Sequence, residues 1–329
     1  MISGRPVLGL TMGDPAGIGP EIVAGALDAR GALPPFDPIV FGDALCMNRA
    51  AEQIGSSLRF SERPGLGEIG VRSSGVEVRD VRPGRLSAAG GACGVASVIG
   101  AARAALAGEI DAVVTAPLNK EAMQLSGCPY PGHTELLAAE TGAQTFGMLL
   151  VSGALRVIHV STHVALREAI DRVRTARVVE CILLGARGCR ELGIANPRAA
   201  IAGLNPHAGE HGLFGTEDEA EILPAVVRAK SLGVDAVGPL PPDSVFARAA
   251  AGDYDVVVAM YHDQGHIPIK LNGIDSGVNI TVGLPIVRTS VDHGTAFDIA
   301  GTGRARPESM MQAISTACRI VDYRMRGTR

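Results

Sequence analysis

The sequence predicts an α/β fold in which buried parallel strands alternate with helices. Apolar residues make up 47% of the 329 residues, yet aromatic residues contribute only 3% and tryptophan is absent, so small aliphatic side chains must fill the interior. This composition suits parallel strands that are buried on both faces. Short apolar runs also alternate with helix-type patterns along the chain, which is the order expected of repeated strand–helix–strand units.

The first half of the chain shows this alternation clearly. Strands are predicted at residues 7–12, 38–41 and 111–116, and helices at residues 20–29, 43–54 and 88–107. Pro20 favours a helix start, because the first turn does not need its missing backbone N–H. Residues 55–86 are rich in Gly, Pro, Ser and Arg, so we expect a surface excursion there with short strand-like pieces such as Val76–Val78.

A second series of elements follows Gly132 and completes the α/β pattern. Strands are predicted at residues 146–151, 156–160, 199–204, 255–260 and 278–282, and helices at residues 134–141, 175–192, 216–232 and 307–323. The length allows two domains or one large α/β unit. The chain has no internal repeat and no flexible linker pattern, so two domains would be joined by continuous structure.

Charge and cysteine usage exclude several classes of protein. A formal net charge of −4 and few aromatic residues argue against a nucleic-acid partner. The six cysteines form no C-x-x-C pair, so we expect reduced thiols in a cytoplasmic protein, with Cys128 as a packed side chain rather than a nucleophile or ligand. The N-terminus runs directly into a strand and no uninterrupted apolar run approaches 20 residues, so no signal peptide and no membrane span are predicted.

Three histidines each follow a short apolar run that is predicted to be a buried strand. These are His163, His207 and His262. The carboxyl ends of strands in α/β proteins converge where ligands bind, so three imidazoles delivered there predict a metal site. For each histidine taken alone, an ordinary loop position remains the alternative.

Two further histidines and two acids lie near the predicted ligands. His211 and His266 follow His207 and His262 by four residues, but nearby Pro206, Gly209 and Gly265 argue against a helix, so one histidine per strand end is selected. The acids that could orient the ligands are Asp243 and Asp263, with solvated carboxylates as the alternative.

Polar residues at predicted helix starts indicate an anion site. Asn119 and Lys120 open one helix, and His133 and Thr134 open another, where free backbone N–H groups favour phosphate or carboxylate. The alternative is N-capping by Thr134 and Glu135. The glycine-rich segment 13–21 allows close backbone approach at a helix start, but it fits neither the dinucleotide fingerprint nor the P-loop, so a simple tight turn remains open.

The last third of the chain adds a candidate clamp and a candidate loop. Lys270, Asn279 and Arg288 offer two cations and an amide that could hold an anionic substrate, with surface positions as the alternative. The segment 292–303 is too rich in glycine and polar residues for a core element. A loop of this kind could wrap an adenosine or a phosphate.

Together these segments resemble the 4-hydroxythreonine-4-phosphate dehydrogenase (PdxA-like) family over nearly the whole chain. The matching motifs lie at residues 13–21, 115–120, 132–135, 203–210, 260–265, 277–281 and 284–295. The resemblance implies a two-domain α/β/α fold of the isocitrate and isopropylmalate dehydrogenase type, with the active-site cleft between domains. It places residues 1–130 and 290–329 in the first domain, which carries the cofactor loop, and residues 131–289 in the second, which carries metal binding, substrate binding and dimerisation.

The resemblance also implies roles for individual residues. His163, His207 and His262 would ligate one divalent ion (Zn, Mg, Co or Mn) in a site shared across a homodimer. The implied substrate contacts are His133, Thr134, Lys270, Asn279 and Arg288. NAD or NADP would bind without a Rossmann fold, and the implied cofactor contacts are Asp292, His293, Gly294, Thr295, Ala296 and Asp298.

The predicted reaction is metal-assisted oxidation of a secondary alcohol to a ketone β to a carboxylate, followed by decarboxylation. Lys270 is the candidate for proton transfer or carboxylate binding. His266 and Asp275 resemble the branch that oxidises 4-phosphothreonate or 4-phosphoerythronate in sugar-acid catabolism rather than the pyridoxine-biosynthesis branch, and a third relative acts on a terephthalate dihydrodiol. A non-catalytic metal- or anion-binding protein and a three-histidine zinc hydrolase are the rival functions, and the 292–303 loop counts against the hydrolase.

Overall fold

The computed structural model describes residues 4–273 and 277–327. The strands are β1 (Val7–Thr11), β2 (Asp37–Gly42), β3 (Phe60–Ser61), β4 (Ile69–Ser73), β5 (Ala112–Thr115), β6 (Gly147–Ser152), β7 (Leu155–His159), β8 (Arg198–Ala202), β9 (Asp235–Leu240), β10 (Val256–Ala259), β11 (Val278–Val282) and β12 (Val287–Val291). The helices are α1 (Gly19–Asp28), α2 (Ala44–Gln53), α3 (Ala88–Leu106), α4 (Lys120–Leu125), α5 (His133–Thr141), α6 (Leu166–Asp171), α7 (Thr175–Glu191), α8 (Leu223–Ser231), α9 (Pro242–Ala250), α10 (His262–Asn272) and α11 (Glu308–Gly327). The predicted α/β class is confirmed.

The chain divides into two compact units. Unit 1 comprises Met1–Gln144 and Leu284–Arg329, and its strands run in the order β3-β4-β2-β1-β5-β12. The pairings between these neighbours are all parallel. All four residues of β5 are buried, as expected for a parallel strand covered on both faces. The carboxyl ends of β1, β5 and β12 therefore lie at one edge of this sheet.

Unit 2 comprises Thr145–Gly283, and its strands run in the order β11-β6-β7-β10-β8-β9. The pairings β11–β6 and β6–β7 are antiparallel, whereas β7–β10, β10–β8 and β8–β9 are parallel. Leu150, Val157, Val257 and Ile269 belong to a buried cluster that joins these strands to α10. Helix α10 is thereby held against β7. His159 is the last residue of β7, and His262 and His266 lie on α10.

The boundaries between the units differ from the predicted domain boundaries at residues 130 and 289. Helix α5 packs against α3, and β12 pairs with β5, so both elements belong to unit 1. Consequently His133, Thr134 and Arg288 lie in unit 1, whereas the family resemblance implied that they belong to the second domain. Long-range packing made this assignment, and no local signal in the sequence marks it.

Several predicted elements are corrected by the structure. The segment 55–86 is not only an excursion, because β4 pairs with β2 and buries Ile69 and Val71, whereas Val76–Val78 forms no strand. The helix predicted at 216–232 is divided into a π-helical turn at Asp218–Ile222 and helix α8. Helices α6, α9 and α10 and strands β9 and β12 were not predicted from the sequence, because they are short or carry Pro and Gly.

Helix α10 contradicts the prediction that Gly265 makes helical spacing doubtful. A Cβ atom at position 265 would lie 2.3 Å from Nε2 of His159 and 2.7 Å from Cγ1 of Val157. Gly265 is therefore a packing residue that lets the helix approach β7, and this contact offsets its low helix propensity. As a result His262 and His266 do lie one helical turn apart.

Helix α3 is long and apolar enough to cross a membrane by length and composition, which the sequence analysis did not expect. Half of its most apolar window is buried in the protein, and it packs against β1, β2 and β5. A core helix passes the same test, so the finding is weak. Among the described residues no other helix passes it.

Candidate functional site

A group of cationic and polar side chains lies together in unit 1, namely Thr115, Lys120, His133 and Arg288. We call this group the anion pocket, after the role that is proposed for it below. Arg288 on β12 is only 3% exposed, and its Nη2 donates a hydrogen bond of 2.8 Å to Oγ1 of Thr115 at the end of β5. The parallel register that sets Arg288 beside Val113 brings these two side chains together. Burial lowers the pKa of Arg288 to about 10, and the charge of Glu135 opposes this shift.

His133 begins α5 and presents a buried imidazole to the pocket. Its Nε2 atom is buried and makes no hydrogen bond. Burial first, and then the charges of Arg288 and Lys120, lower the pKa of His133 to about 3, so the ring is neutral at physiological pH. A buried polar atom of this kind is able to bind a ligand or a water molecule, and the positive charges around it favour an anion.

The structure shows which residues cap the helices that begin at the anion pocket. Capping of α5 by Thr134 and Glu135 was the alternative to an anion site. The N-cap of α5 is Gly132, which makes no side-chain cap hydrogen bond, so capping by Thr134 and Glu135 is not what these residues do. Asn119 does cap α4, since its Oδ1 accepts a hydrogen bond of 3.0 Å from the backbone N of Ala122. Lys120 is left exposed at the helix start.

The predicted cofactor residues lie in one irregular stretch of unit 1, which we call the cofactor loop (residues 292–303). Thr295 is largely buried, and its carbonyl oxygen accepts a hydrogen bond of 3.0 Å from the N of Ile18. His293, Gly294 and Asp298 are exposed, whereas Asp292 and Ala296 are partly buried. The loop thus has an anchored backbone and an outer face of polar groups.

A group of imidazoles in unit 2 forms what we call the histidine cluster, defined by His159, His163, His262 and His266. The rings of His262 and His266 stack with 3.6 Å between centroids and 12° between planes. The centroid of His159 lies 4.7 Å from that of His266, and the centroid of His163 lies 5.6 Å from that of His262. The cluster therefore contains two of the three predicted metal ligands, together with two histidines that the sequence analysis did not assign as ligands.

The 5.6 Å between the ring centroids of His163 and His262 is a separation that two ligands of one ion can have. With a metal–nitrogen bond of about 2.1 Å, each ring centroid would lie roughly 3 Å from the ion, and two such centroids would lie about 5 to 6 Å apart. Nδ1 of His262 lies 2.6 Å from Oδ1 of Asp263, and because a carboxylate only accepts, Nδ1 is the donor in this contact. The role of Asp263 in orienting a metal ligand stays a prediction.

His207 is not brought to the other two predicted ligands within one chain. Its ring centroid lies 6.4 Å from that of Phe214, and among residues 4–273 and 277–327 no group of three or more His, Cys, Asp or Glu side chains could hold a metal ion. Its backbone has a φ of 52°, as part of a left-handed run of non-glycine residues that comprises His207, Ala208, Glu210 and His211. Such strain persists only where the surroundings enforce it.

Asp218 supplies part of that enforcement. It is fully buried and accepts hydrogen bonds from the N of Leu204 and from both the N and Nδ2 of Asn205, at 2.9 to 3.1 Å. Neither Asp218 nor the strained backbone was identified from the sequence. The only local signal was the density of glycine and asparagine between residues 203 and 215.

The remaining predicted residues of unit 2 lie on separate elements. Lys270 is exposed near the end of α10, and Asn279 lies on β11 opposite Leu150 of β6, with a buried Oδ1 that makes no hydrogen bond. Asp243 is exposed in the first turn of α9. Asp275 lies outside the described residues.

Comparison with known proteins adds to this geometry. The family model described as "Pyridoxal phosphate biosynthetic protein PdxA" matches residues 35–317. A D-threonate 4-phosphate dehydrogenase of Pectobacterium atrosepticum is 46% identical over 323 residues, covering 95% of this chain and 99% of that protein. A 4-hydroxythreonine-4-phosphate dehydrogenase of Beijerinckia indica is 44% identical, covering 95% and 94%.

Solved structures give the same picture. A 4-hydroxythreonine-4-phosphate dehydrogenase from Klebsiella pneumoniae superposes with a TM-score of 0.87 at 43% identity, covering 98% of this chain and 99% of that one. A β-decarboxylating dehydrogenase from Thermococcus kodakarensis has a TM-score of 0.51 at 16% identity, covering 98% and 84%, which shows a shared fold alone. The match of the family model over most of the chain, and relatives above 40% identity over nearly all of it, mean that this chain belongs to the PdxA family.

Proposed function

We propose that this protein is a dehydrogenase that uses NAD or NADP to oxidise the secondary alcohol of a 4-phosphorylated hydroxy acid, and that D-threonate 4-phosphate or a close analogue is its substrate. The relatives with 46% and 44% identity are named for D-threonate 4-phosphate and for 4-hydroxythreonine 4-phosphate. Both substrates combine a phosphate, a carboxylate and a hydroxyl group. The proposal therefore needs a site for two anionic groups.

The observation that carries the proposal is the anion pocket. Arg288 is buried at the sheet edge, and a guanidinium offers a planar fork that matches phosphate or carboxylate oxygens. Lys120 adds a second positive charge, and the buried Nε2 of His133 needs a hydrogen-bond partner. A dianionic phosphate would satisfy all three groups, with the Thr134 hydroxyl and the backbone of the α5 start as additional donors.

Lys270 and Asn279 are the residues that we assign to the second anionic end of the substrate. Lys270 carries a positive charge, and Asn279 carries an amide whose buried oxygen makes no hydrogen bond. We assign the substrate carboxylate to Lys270 and a substrate hydroxyl to Asn279. Lys270 is also the candidate that moves a proton to or from the reacting centre, and decarboxylation of the β-keto acid follows from the product's chemistry.

NAD or NADP would be held by the cofactor loop, through Asp292, His293, Gly294, Thr295, Ala296 and Asp298, and it supplies the hydride acceptor. His163 and His262 would hold a divalent ion, together with His207 from a second copy of the chain in a homodimer. Such an ion, when bound, supplies Lewis acidity that eases loss of the alcohol proton and stabilises an enolate. Neutral imidazoles are suitable ligands for this purpose.

Substrate and cofactor are tested together in one screen. The purified protein is incubated with D-threonate 4-phosphate, erythronate 4-phosphate, 4-hydroxythreonine 4-phosphate and the terephthalate dihydrodiol, each with NAD and with NADP, with and without a chelator. We expect nicotinamide reduction, with carbon dioxide release, on a phosphorylated acid and loss of both with chelator. Phosphate release without nicotinamide reduction, or no reduction with any of these substrates, would overturn the proposal.

The shared metal site is tested by mixing two inactive variants. His163→Ala and His207→Ala each remove one ligand, so each variant alone should lose metal and turnover. In mixed dimers one of the two sites keeps all three histidines, so refolded mixtures should recover about one quarter of the unmodified activity and metal content. Recovery of neither would assign the three ligands to a single chain or remove His207 from the site.

A further inference from the structure

The glycine-rich segment 13–21 contains a buried carboxylate that the proposed reaction does not use. Glu21, in the first turn of α1, is 2% exposed. Its Oε2 accepts a hydrogen bond of 2.9 Å from the N of Gly301, and its Oε1 accepts one of 2.6 Å from the N of Gly303. Both carboxylate oxygens are therefore bound to the backbone of the cofactor loop, 280 residues away in sequence.

The loop adopts a shape at these contacts that a side chain would not permit. Gly301 and Gly303 have φ values of +75° and +70°, in the left-handed region. A Cβ atom at Gly301 would lie 2.7 Å from Cβ of Pro83, and one at Gly303 would lie 2.7 Å from the carbonyl oxygen of Gln53. Each amide is thus held close to Glu21 by a specific backbone conformation and by tight packing behind it.

The same segment holds the other end of the loop. The N of Ile18 donates to the carbonyl oxygen of Thr295 at 3.0 Å, and a Cβ atom at Gly17 would lie 2.8 Å from Cβ of Thr295. Thr295 is among the residues assigned to the cofactor. Segment 17–21 therefore contacts the cofactor loop near its beginning and at its end.

This arrangement argues against an anion site at the start of α1, which the sequence analysis left open. The N of Ile18 is already used by Thr295, and the carboxylate of Glu21 would repel an incoming phosphate. A carboxylate at a helix start is itself stabilised by the helix dipole, and charged acceptors form strong hydrogen bonds with backbone N–H groups. The start of α1 therefore holds the backbone of the cofactor loop in place and is not a ligand site.

We propose that Glu21 is a positioning residue for the cofactor: it fixes the backbone of residues 295–303 in the conformation that binds the adenosine part of the dinucleotide. The inference rests on the proposed function of the cofactor loop. Glu21 itself touches neither cofactor nor substrate in this proposal. It acts through the two glycine amides that it binds.

The test compares Glu21→Gln with Glu21→Asp and with the control Glu308→Gln. The glutamine side chain keeps the shape but directs an N–H group at one of the two amides, whereas aspartate keeps the charge but is too short to reach both. Glu308 is exposed in the first turn of α11, the helix that follows the cofactor loop in the chain. Binding of NADH is followed by fluorescence titration, and thermal unfolding and amide hydrogen exchange of residues 299–303 are measured on the same samples.

We expect Glu21→Gln to weaken dinucleotide binding roughly ten- to hundred-fold, with a matching rise in the KM for the cofactor and a small change in kcat. Glu21→Asp should lose less, and Glu308→Gln should bind as the unmodified protein does. Binding of inorganic phosphate should stay unchanged in all three variants, because the anion pocket is built from other residues. Faster exchange at Gly301 and Gly303 should accompany the loss of affinity.

Unchanged dinucleotide affinity in a folded Glu21→Gln protein would overturn the inference, even if amide hydrogen exchange at Gly301 and Gly303 became faster. The hydrogen bonds of Glu21 would then serve the structure only. If Glu21→Gln does not fold, Glu21→Asp carries the same test, and full affinity of that variant with fast exchange at both glycines would have the same meaning. Failure of the proposed function looks different, since the unmodified protein would then bind no dinucleotide.

Discussion

The anion pocket and the histidine cluster differ in how the fold presents them. The pocket is built on regular elements of one unit, where a buried arginine on β12 is bound to the threonine that ends β5. The cluster combines two histidines of α10, the last residue of β7 and the exposed His163. His207 lies apart from them on a strained loop. A parallel sheet can therefore preform a charged pocket, whereas the three-histidine set is not gathered among the described residues of one chain.

The two regions also differ in what keeps their histidines neutral. In the pocket, the cations Arg288 and Lys120 add to the effect of burial and lower the pKa of His133. In the cluster, the pKa of His266 is lowered to about 4 by burial and by the neighbouring imidazole of His262. The pocket is thus electropositive, whereas in the cluster it is the neutral form of the buried His266 that is favoured.

Removing the buried cation should have the largest effect and separates binding from stability. Arg288→Met should weaken binding of the phosphorylated substrate by roughly 30-fold to several thousand-fold, because a buried charge partner is lost. Its thermal midpoint should stay level or rise, since methionine removes the cost of burying the guanidinium. Isothermal titration and calorimetry measure the two effects. Arg172→Met, which alters an exposed pair with Glu168, is the control. Equal affinity in both variants would remove Arg288 from substrate binding.

Weakening the hydrogen bonds of Asp218, which hold the chain just before His207, should reduce metal binding and leave phosphate binding unchanged. Asp218→Asn replaces one accepting oxygen by an N–H group beside backbone donors, so the free energy of unfolding should fall by about 1 to 3 kcal/mol. Metal affinity should fall roughly 10- to 100-fold, as for other residues that orient ligands. Phosphate affinity should not change. Asp243→Asn, at the exposed position predicted to orient a ligand, should change neither quantity, and a larger metal effect there would reverse these assignments.

A methyl group at Gly265 should test how closely α10 must approach β7. Gly265→Ala places Cβ against His159 and Val157, so we expect the free energy of unfolding to fall by about 1 to 3 kcal/mol, measured by urea denaturation. His262 and His266 lie on the same helix as Gly265, so a shift of that helix should move the proposed ligand His262 and lower metal affinity as well. Gly31→Ala meets no atom within 4 Å and should be nearly neutral. An equally neutral Gly265→Ala would mean that the helix adjusts without moving the cluster.

The smallest effect is expected from the pH dependence of His133. Its pKa of about 3 in the folded protein lies below its ordinary value of 6.5. Below pH 6.5 the unfolded chain therefore takes up a proton that the folded protein does not, so stability should decline as pH falls from 6.5 towards 3. His133→Gln should remove about 1 to 2 kcal/mol of this decline between pH 7 and pH 5 in urea titrations at each pH. Identical pH profiles for both proteins would show that burial and the charges of Arg288 and Lys120 do not lower the pKa of His133 in the folded protein.

The fold class and most of the strand–helix alternation could be predicted from the sequence, because periodicity is a local property. Strand-end positions and the family resemblance supplied the candidate residues, whose roles stay predictions. His163 and His262 were recognised from such signals, and the structure places their rings within 5.6 Å of each other. Arg288 was selected as a cation of the candidate clamp, whereas Thr115 was not selected as a site residue. Their hydrogen bond additionally required the register between β12 and β5.

The unit to which each of those residues belongs, and the contacts that support it, became known only from the three-dimensional packing. It assigned His133 and Arg288 to unit 1, made Gly265 a helix residue and joined Glu21 to Gly301 and Gly303. These outcomes depend on which surfaces bury each other across more than a hundred residues of chain. Packing energy between distant segments can override local helix and turn preferences, so no pattern within a short window contains that information.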